Sequence, residues 1–338
     1  MCKKVLVLGG TGAMGVYMVP ELIKMGYAVD VYALDKFESD NPRLNYYVAN
    51  VTDIDVLKEV LAKRYDAVVD FMIWGGDSFF KVADLFLNST SHYIYLSSYR
   101  VYADEEHPIK ETSPRLYDIM KERDSEFFAT PDYSLYKAKG EEYLKNSGKN
   151  NWTIVRPAVT YSKRRVQLVT LEGYAFVPRA LDGKKVIIPN EALGKKATMS
   201  WAGDVGKMLA RLVLNEKAYG EAYTASTSES HTWGEIADYY KELIGLEVYP
   251  VDTETYINVL FDENWRKAGR YQLIYDRLFD RVIDNSKILE VTGMKQEELT
   301  PLYEGLKREL SGINKDTNWI NVNNTISLKM DEFFDSLS

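Results

Sequence analysis

The chain has 338 residues, 46% of them apolar and 27% charged, and its 42 Lys and Arg residues against 50 Asp and Glu residues give a formal charge of −8. These values are ordinary for a globular protein with a sizeable core, and the length favours two domains or one core with a large appendage. The acidic balance argues against a general nucleic-acid or anionic-membrane surface, because both need clustered positive charge.

The N-terminus carries the one cysteine, Cys2, so the chain forms neither an intrachain disulfide nor a cysteine-based metal site. His92, His107 and His231 are widely scattered, and we expect no metal. The apolar run Val5–Leu8 is too short for the core of a signal peptide, and no stretch approaches the roughly 20 apolar residues that span a bilayer. We therefore expect a cytoplasmic protein without a membrane partner.

The first predicted element is the strand "KVLVL", which runs into the turn "GGTGAMG". Residues 16–26 have apolar side chains at helical spacing, and "YAVDVYALD" predicts a second strand. In this strand–turn–helix–strand unit, Gly9, Gly12 and Gly15 allow a tight turn, close approach of the backbone to a pyrophosphate and close packing of helix on strand. Free N–H groups at the start of the helix also favour phosphate. The unit predicts a dinucleotide-binding site.

Asp35 ends the second predicted strand, 20 residues after Gly15. A carboxylate at this point accepts hydrogen bonds from both hydroxyls of the adenosine ribose and repels a 2′-phosphate. This favours NAD over NADP as the cofactor. The neighbouring positive charge of Lys36 weakens the preference, so NADP is kept as an alternative.

The following segments alternate between strand and helix patterns. "NYYVANVTD", "YDAVVDFMIWGG" and "HYIYLSSYRVYA" predict strands, and "IDVLKEVLAKR" and "SFFKVADLFLNS" predict helices. This alternation predicts a doubly wound parallel sheet of the Rossmann type with helices on both faces. Ligands of such sheets bind at the carboxyl ends of the strands. The residues predicted at those ends are Asp35, Asn50, Phe71–Trp74 and Ser97–Ser98.

Residues 133–148, "YSLYKAKGEEYLKNSG", have the pattern of an amphipathic helix that ends at a glycine. Tyr133 and Lys137 are one helical turn apart and therefore share a face. The same spacing at Tyr32–Lys36 runs from a strand into its end, and at Tyr303–Lys307 no strand-end serine precedes it. Because Tyr133–Lys137 follows a strand that ends in two serines, we select it as the candidate proton-transfer pair.

In this order, these and later segments resemble the extended short-chain dehydrogenase/reductases, the group of NAD-dependent sugar epimerases and dehydratases. The matching segments are "GGTGAMG", "ANVTD", "YLSSYRVYA", "HPIKETSP", "YSLYK", "TIVRPAVTYS", "SWAGDVGKML" and "VIDNSKILEVTG". Together they cover nearly the whole chain. "ANVTD" departs from the family's G-D-x-x-D adenine segment, because Asn50 replaces the usual aspartate.

The resemblance implies that Tyr133 is the general acid/base and that Lys137 is its partner. Ser98, four residues before Tyr102, would hydrogen-bond the reacting oxygen. A free phenol has a pKa of about 10, so a nearby positive charge such as that of Lys137 is needed to deprotonate it near neutral pH. The implied cofactor-binding residues are Gly9, Thr11, Gly12, Ala13, Met14, Gly15, Asp35, Lys36, Asn50, Val51, Phe71, Met72, Ile73 and Pro157.

Some positions that depart from the family, or that carry positive charge, are candidates for contact with the substrate. Arg100 stands where the family usually has a small residue, and Asp70 and Trp74 stand where His and small residues are more usual. Beyond Pro157, guanidinium groups could clamp a substrate diphosphate, with which they pair bidentately. The candidate substrate residues are Trp74, Arg100, Arg164, Arg179 and Lys196.

The alternation of strands and helices ends after Pro157. We expect a dinucleotide-binding domain over residues 1–160, to which 197–226 return, and a smaller, mostly helical lobe over 161–196 and 227–338 that binds the substrate. The aromatic and charged segment 261–287 would form a lid over the site or an oligomer surface. The resemblance further implies a homodimer that associates through helices flanking the sheet.

By this resemblance, the chain would bind NAD and epimerise a nucleotide sugar or a related polyol by transient oxidation. Dehydratases of the family usually have an acidic residue beside the catalytic serine, whereas Tyr99 and Arg100 follow Ser98. A carbonyl reductase is the enzymatic alternative. The other alternative is a dinucleotide sensor or an RNA-binding protein like the relatives found in chloroplasts. Sensors typically lack the Tyr–Lys pair, and the net charge disfavours a nucleic-acid partner.

Overall fold

The computed structural model of the protein describes residues 2–163, 165–314, 317, 319 and 325–337, apart from the side chains of residues 264 and 265. Its strands are β1 (Lys4–Leu8), β2 (Ala28–Ala33), β3 (Leu44–Val48), β4 (Tyr65–Asp70), β5 (Thr90–Leu96), β6 (Trp152–Val155), β7 (Val159–Tyr161), β8 (Gln167–Leu168), β9 (Leu171–Glu172), β10 (Val186–Pro189), β11 (Lys196–Ala197), β12 (Met199–Trp201), β13 (Glu221–Tyr223), β14 (His231–Thr232) and β15 (Val248–Val251).

Its α-helices are α1 (Gly15–Lys24), α2 (Ile54–Leu61), α3 (Ala83–Ser89), α4 (Leu116–Arg123), α5 (Ser125–Phe128), α6 (Tyr133–Asn146), α7 (Gly173–Leu181), α8 (Ala202–Leu212), α9 (Trp233–Ile244), α10 (Thr253–Leu260), α11 (Glu263–Gln272), α12 (Ser286–Thr292), α13 (Leu302–Leu310) and α14 (Thr325–Asp335). A π-helix, Leu273–Arg277, continues α11. Within the described ranges, no helix combines the length and the apolar character needed to cross a lipid bilayer.

The central sheet has the strand order β13–β6–β5–β4–β1–β2–β3, and every neighbouring pair is parallel. Val5 of β1 lies beside Val29 of β2 and Ala67 of β4, so the three strands end at the same edge. The order reverses at β1, which creates the crevice where ligands of such sheets bind. This confirms the predicted Rossmann-type sheet.

Both faces of the sheet are buried under helices. Because successive side chains of a strand point to opposite faces, Val5 and Val7 join one core with α1 and α8, whereas Leu6 and Leu8 join a second core with α2 and α3. All four side chains are fully buried, which explains the uninterrupted apolar run of β1. Pro20 lies on the exposed side of α1, and the helix continues past it to its end.

The rest of the chain forms the expected mixed, mostly helical lobe. A third core includes side chains from α7, α9 and α10, and short strands pair as β10 with β15 and β12 with β7. Part of the segment 197–226 joins the central sheet, because β13 pairs with β6 and α8 packs against α1. The assignment of substrate binding to the lobe stays a prediction.

Candidate active site

The turn between β1 and α1 is shaped by its glycines. Gly9 has a φ of +74°, in the left-handed region that other residues rarely adopt. A Cβ atom at Gly15 would lie 2.4 Å from the carbonyl oxygen of Gly10, so only glycine lets α1 begin this close to the turn. The side chain of Met14, the N-cap of α1, accepts no hydrogen bond from the first N–H groups of the helix. A phosphate can therefore accept hydrogen bonds from these groups. The turn, with Thr11, Gly12 and Ala13 between its ends, fits the pyrophosphate of a dinucleotide.

Asp35 lies beside the same turn. Thr11 Oγ1 donates a hydrogen bond of 3.1 Å to Asp35 Oδ2, and the Asp35 side chain is exposed just beyond β2. Lys36 pairs instead with Glu38, with 2.9 Å between Nζ and Oε1, and these two side chains are 79% and 80% exposed. The carboxylate therefore faces the turn while the lysine is in solvent, which supports the predicted preference for NAD.

The loop after β3 carries two further predicted cofactor residues. The side-chain oxygen of Asn50 accepts hydrogen bonds from the N–H and from the hydroxyl of Thr52, at 3.2 and 2.7 Å. Val51 is buried against the core that contains α2. Asn50 thus shapes its own loop, and the amide nitrogen of its side chain is the group left to a ligand.

The end of β4 contacts the glycine turn directly. A Cβ atom at Gly9 would lie 3.3 Å from Cβ of Phe71 and 3.4 Å from the sulfur of Met72. Ile73 follows and is largely exposed. These contacts place the residues after β4 next to the turn, as expected where two parallel strands end at the same edge.

A cavity of about 320 Å³, here called the inner cavity, lies at the carboxyl edge of the sheet. Its wall combines predicted cofactor residues with the three predicted catalytic residues. The predicted cofactor and catalytic residues on the wall are Met14, Phe71, Ile73, Ser98, Tyr133, Lys137 and Pro157, and the predicted substrate residue Arg100 joins them. Side chains from four strand ends and one helix therefore meet in one place.

Ser98 follows β5 and precedes a short 3-10 helix, Tyr99–Val101. Its Oγ accepts a hydrogen bond of 3.2 Å from the N–H of Arg100, which leaves the hydroxyl proton of Ser98 to be donated to another oxygen. The hydroxyl of Ser97, by contrast, donates to Oε1 of Glu141 at 2.6 Å. The geometry therefore supports Ser98, rather than Ser97, as the serine that contacts a ligand.

Lys137 is 2% exposed and lies on the same face of α6 as Tyr133. Its Nζ donates to the carbonyl oxygen of Leu96 at 2.6 Å and lies 5.7 Å from the centre of the Tyr133 ring. Burial lowers the pKa of Lys137 to about 8, and the negative charges of Asp70 and Glu141, which raise this pKa, offset only part of the effect. The ammonium form therefore predominates at neutral pH and is lost above pH of about 8.

Tyr133 begins α6 and is half-buried. Burial raises the pKa of Tyr133, while the positive charges of Arg100 and Arg165 and a hydrogen bond with Ser98 lower it. The Arg100 guanidinium lies 5.3 Å from the centre of the ring. Arg100 and Arg165 therefore add positive charge near the phenol to that of Lys137, and the expected role of Lys137 stays a prediction.

A buried ion pair that sequence reasoning missed holds α6 to the sheet. Glu141 is fully buried and accepts hydrogen bonds from Nε and Nη2 of Arg156, at 2.8 and 2.6 Å, and from Nη1 of Arg115 at 3.1 Å. Burial alone would raise the pKa of Glu141, but these charges and hydrogen bonds lower it to about 2. The signal is present in the sequence, because Tyr133, Lys137 and Glu141 recur every four residues on one helix face.

The lobe also lines the inner cavity, through residues that the sequence analysis does not name. Gln272 and Arg277 contribute to its wall from the end of α11 and from the π-helix. Between them, Asp276 accepts a hydrogen bond of 3.1 Å from Nε of Arg281 and is buried. Part of segment 261–287 is therefore a wall of the site, at the kind of π-helix that often marks functional positions.

Trp74 is a correction to the predicted site. The side chain is buried, its indole N–H donates to Oδ2 of Asp70 at 2.8 Å, and its ring lies 6.1 Å from that of Phe86. Tyr93 donates to the same carboxylate oxygen at 2.7 Å. Trp74 therefore satisfies a buried carboxylate in the core and does not narrow the pocket, and we withdraw it as a substrate residue.

Arg179 and Lys196 are corrected as well. Arg179 is buried, and its Nη1 lies 2.8 Å from Oδ1 of Asp331, so it ties α7 to α14. Lys196 is exposed on β11, where its N–H donates to Oδ1 of Asp280 at 2.9 Å. In the part of the chain that the structure describes, neither lines the inner cavity. Arg164, another of the five candidates, lies outside the described residues.

Comparison with known proteins gives one family and one curated relative. The model of a family described as NAD(P)H-binding matches residues 9–180, just over half of the chain. The chloroplast stem-loop binding protein of 41 kDa b from Arabidopsis thaliana is 25% identical over 321 residues, which cover 90% of this chain and 77% of that protein.

Solved structures share the fold at low identity. The UDP-glucuronic acid 4-epimerase of Bacillus cereus, in complex with UDP-glucuronic acid and NAD, has a TM-score of 0.67 at 16% identity and covers 91% of this chain and 98% of its own. The UDP-glucose 4-epimerase of Thermus thermophilus, in complex with NAD, has a TM-score of 0.65 at 19% identity and covers 91% and 99%. These matches confirm the fold that the resemblance implies.

We expect Glu141→Gln to lower the free energy of unfolding by about 3–5 kcal/mol, because it leaves the buried guanidinium group of Arg156 without its countercharge. The effect should be present above pH of about 4.5 and fade as the pH falls towards 2, since the pKa of Glu141 is lowered in the folded state. Urea unfolding of both proteins at several pH values measures it.

The matched control is Glu142→Gln, one position along α6. Glu142 is 35% exposed and pairs with Arg115 and Lys145 at 2.7 and 3.6 Å, so its loss should cost less than about 1 kcal/mol. Equal losses in the two variants would contradict a special role for the buried carboxylate.

Proposed function

The chain belongs to the family of NAD(P)H-binding proteins, and from that premise we propose that it is an NAD-dependent oxidoreductase that epimerises a nucleotide sugar or a related polyol by transient oxidation. The membership confirms the dinucleotide cofactor expected from the sequence. The observation that carries the proposal is one cavity that holds Ser98, Tyr133 and Lys137 beside Met14 and Phe71. A dinucleotide on the glycine turn would therefore lie next to an acid/base pair.

In the proposed reaction, Tyr133 removes the proton of a substrate hydroxyl, and Ser98 donates a hydrogen bond to the same oxygen. Lys137, fixed on the carbonyl of Leu96, keeps a positive charge beside the phenol at neutral pH. When bound, the oxidised nicotinamide supplies the hydride acceptor and a further positive charge that favours the phenolate. Arg100, 5.3 Å from the centre of the ring, acts on the phenol in the same direction.

The substrate class rests on the solved structures of similar fold. Their names give UDP-glucuronic acid and UDP-glucose as the compounds on which they act. The absence of an acidic residue next to Ser98 in sequence, where Tyr99 and Arg100 stand, favours epimerisation over dehydration. A nucleotide sugar or related polyol is thus the first class to test.

We expect Tyr133→Phe to lower turnover by roughly 10²–10⁴-fold, the usual contribution of a general acid/base, while NAD stays bound. The test is to screen nucleotide sugars with the purified wild type, measure its bound NAD, and repeat both measurements on the variant. Tyr143→Phe, on the same helix and packed against Phe80, is the matched control and should keep full turnover.

Two outcomes would contradict the proposal. Unchanged turnover in Tyr133→Phe would remove the tyrosine from the chemistry and favour a sensor. Wild-type protein that carries no cofactor and consumes NADPH with simple ketones would identify a carbonyl reductase instead.

We expect wild-type turnover to fall as the pH rises through about 8, because the ammonium group of Lys137 is lost there. The sign follows from burial, which favours the neutral amine and moves its titration down from the ordinary value of about 10.4. Steady-state rates between pH 6 and 10 measure this fall in turnover, with Lys139→Gln as a control on the same helix. A rate that stays level to pH 10 would show that the charge of Lys137 is not needed.

RNA binding is the second candidate function, and the Arabidopsis thaliana relative, which is named as a stem-loop binding protein, is the observation that favours it. The formal charge of −8 disfavours it, because RNA affinity depends on clustered positive charge. We expect no saturable binding of a labelled stem-loop RNA at physiological salt, measured by fluorescence anisotropy. Binding that weakens steeply as salt is added would overturn this expectation.

A further inference from the structure

A second cavity, of about 400 Å³ and here called the outer cavity, adjoins the inner one. The two cavities share three wall residues, Arg100, Tyr133 and Gln272. The outer cavity also has aromatic walls, which include Tyr136 of α6 and Tyr174 of α7. Arg100 therefore lies beside Tyr133 where the two cavities adjoin, with its guanidinium 5.3 Å from the centre of the ring.

Arg100 is held in place without being saturated by hydrogen bonds. Its Nη2 lies 3.6 Å from Oδ2 of Asp132 and its Nε lies 3.5 Å from Oδ2 of Asp276, distances beyond a normal hydrogen bond of about 2.7–3.2 Å. The side chain is only 15% exposed, and its buried Nε has no hydrogen-bond partner among the described residues. Arg100 lines both cavities, and its terminal Nη groups make no hydrogen bond to another described residue, so these donors are available to an anionic ligand.

The carboxylates near Arg100 are also shared with other groups. Asp276 pairs with Arg277 and Arg281, so three guanidinium groups lie around one carboxylate. Asp132 is the N-cap of α6, and its Oδ1 accepts a hydrogen bond of 2.8 Å from the backbone N–H of Ser134. The boundary between the cavities therefore keeps an excess of positive charge in a chain that is acidic as a whole.

We propose that Arg100 is a specificity-determining residue that binds an anionic group of the substrate, a carboxylate or a phosphate, beside the hydroxyl on which Tyr133 acts. The identity of that hydroxyl rests on the proposed function. A planar guanidinium pairs bidentately with either anion, which gives both affinity and orientation. The substrate is then an anionic polyol whose charge lies close to the carbon that is oxidised, with the rest of the molecule in the outer cavity.

The test is a binding measurement that needs no turnover. With NAD saturating and ionic strength constant, isothermal titration calorimetry compares D-glucuronate and inorganic phosphate, as carboxylate and phosphate probes, with neutral D-glucose. We expect saturable binding of at least one anion by the wild type, and a dissociation constant at least tenfold higher in Arg100→Met. Whichever probe binds identifies the anion. Arg100→Lys keeps the charge without the planar fork and should lose less affinity.

The matched control is Arg123→Met, which removes a cation of α4 that pairs with the exposed Glu105 and is not among the described wall residues of either cavity. It should change the anion affinity less than about twofold. Unaltered NAD affinity shows that each variant is folded. If Arg100→Met does not fold, the anion affinity of Arg100→Lys is compared with that of the wild type instead.

The inference is overturned if the wild type binds neither anion, or if Arg100→Met binds them as the wild type does. These results are separate from a failure of the proposed function. A protein without epimerase activity that still binds anions through Arg100 retains this inference, whereas an active protein whose Arg100 variants bind anions normally retains only the proposed function.

Discussion

The arrangement of the site depends on one buried carboxylate, that of Glu141. It accepts hydrogen bonds from Arg156 just after β6 and from Ser97 just after β5, so it fixes α6 against two strand ends at once. Tyr133 and Lys137 lie two turns and one turn before Glu141 on the same helix face. The contacts of Glu141 therefore also fix the position of these two side chains. The proposed acid/base residues are therefore positioned by the fold itself, from elements that are far apart in the chain.

Much of this fold follows from local sequence patterns. The glycine turn, the parallel strands and the amphipathic helix of Tyr133 depend on spacing over a few residues, and the structure has each of them. Trp74 and Arg179 were assigned wrongly, because their roles depend on burial and on distant partners. Arg179 pairs with Asp331, 152 positions away, which no local pattern reveals. Asp276 was missed for the same reason, since its π-helix meets the sheet only in the folded chain.

Charge is distributed unevenly between the surface and the site. The chain carries an excess of acidic residues, yet Arg100, Lys137, Arg165 and Arg277 line the inner cavity against the single acidic residue Glu172 among its described wall residues. Positive charge in a partly buried cavity is worth more than on the surface, because it is less screened by water and salt. This contrast supports the proposal that the inner cavity favours a phenolate and an anionic ligand, although the protein as a whole is acidic.

The central claim is that the dinucleotide and the Tyr133 phenol meet in the inner cavity. A crystal structure of the protein with NAD tests it most directly. We predict the pyrophosphate on the glycine turn, the adenosine ribose on Asp35, and the nicotinamide ring in the inner cavity in contact with Tyr133 and Lys137. A nicotinamide bound outside the inner cavity, or a Tyr133 hydroxyl turned away from it into solvent, would contradict the account.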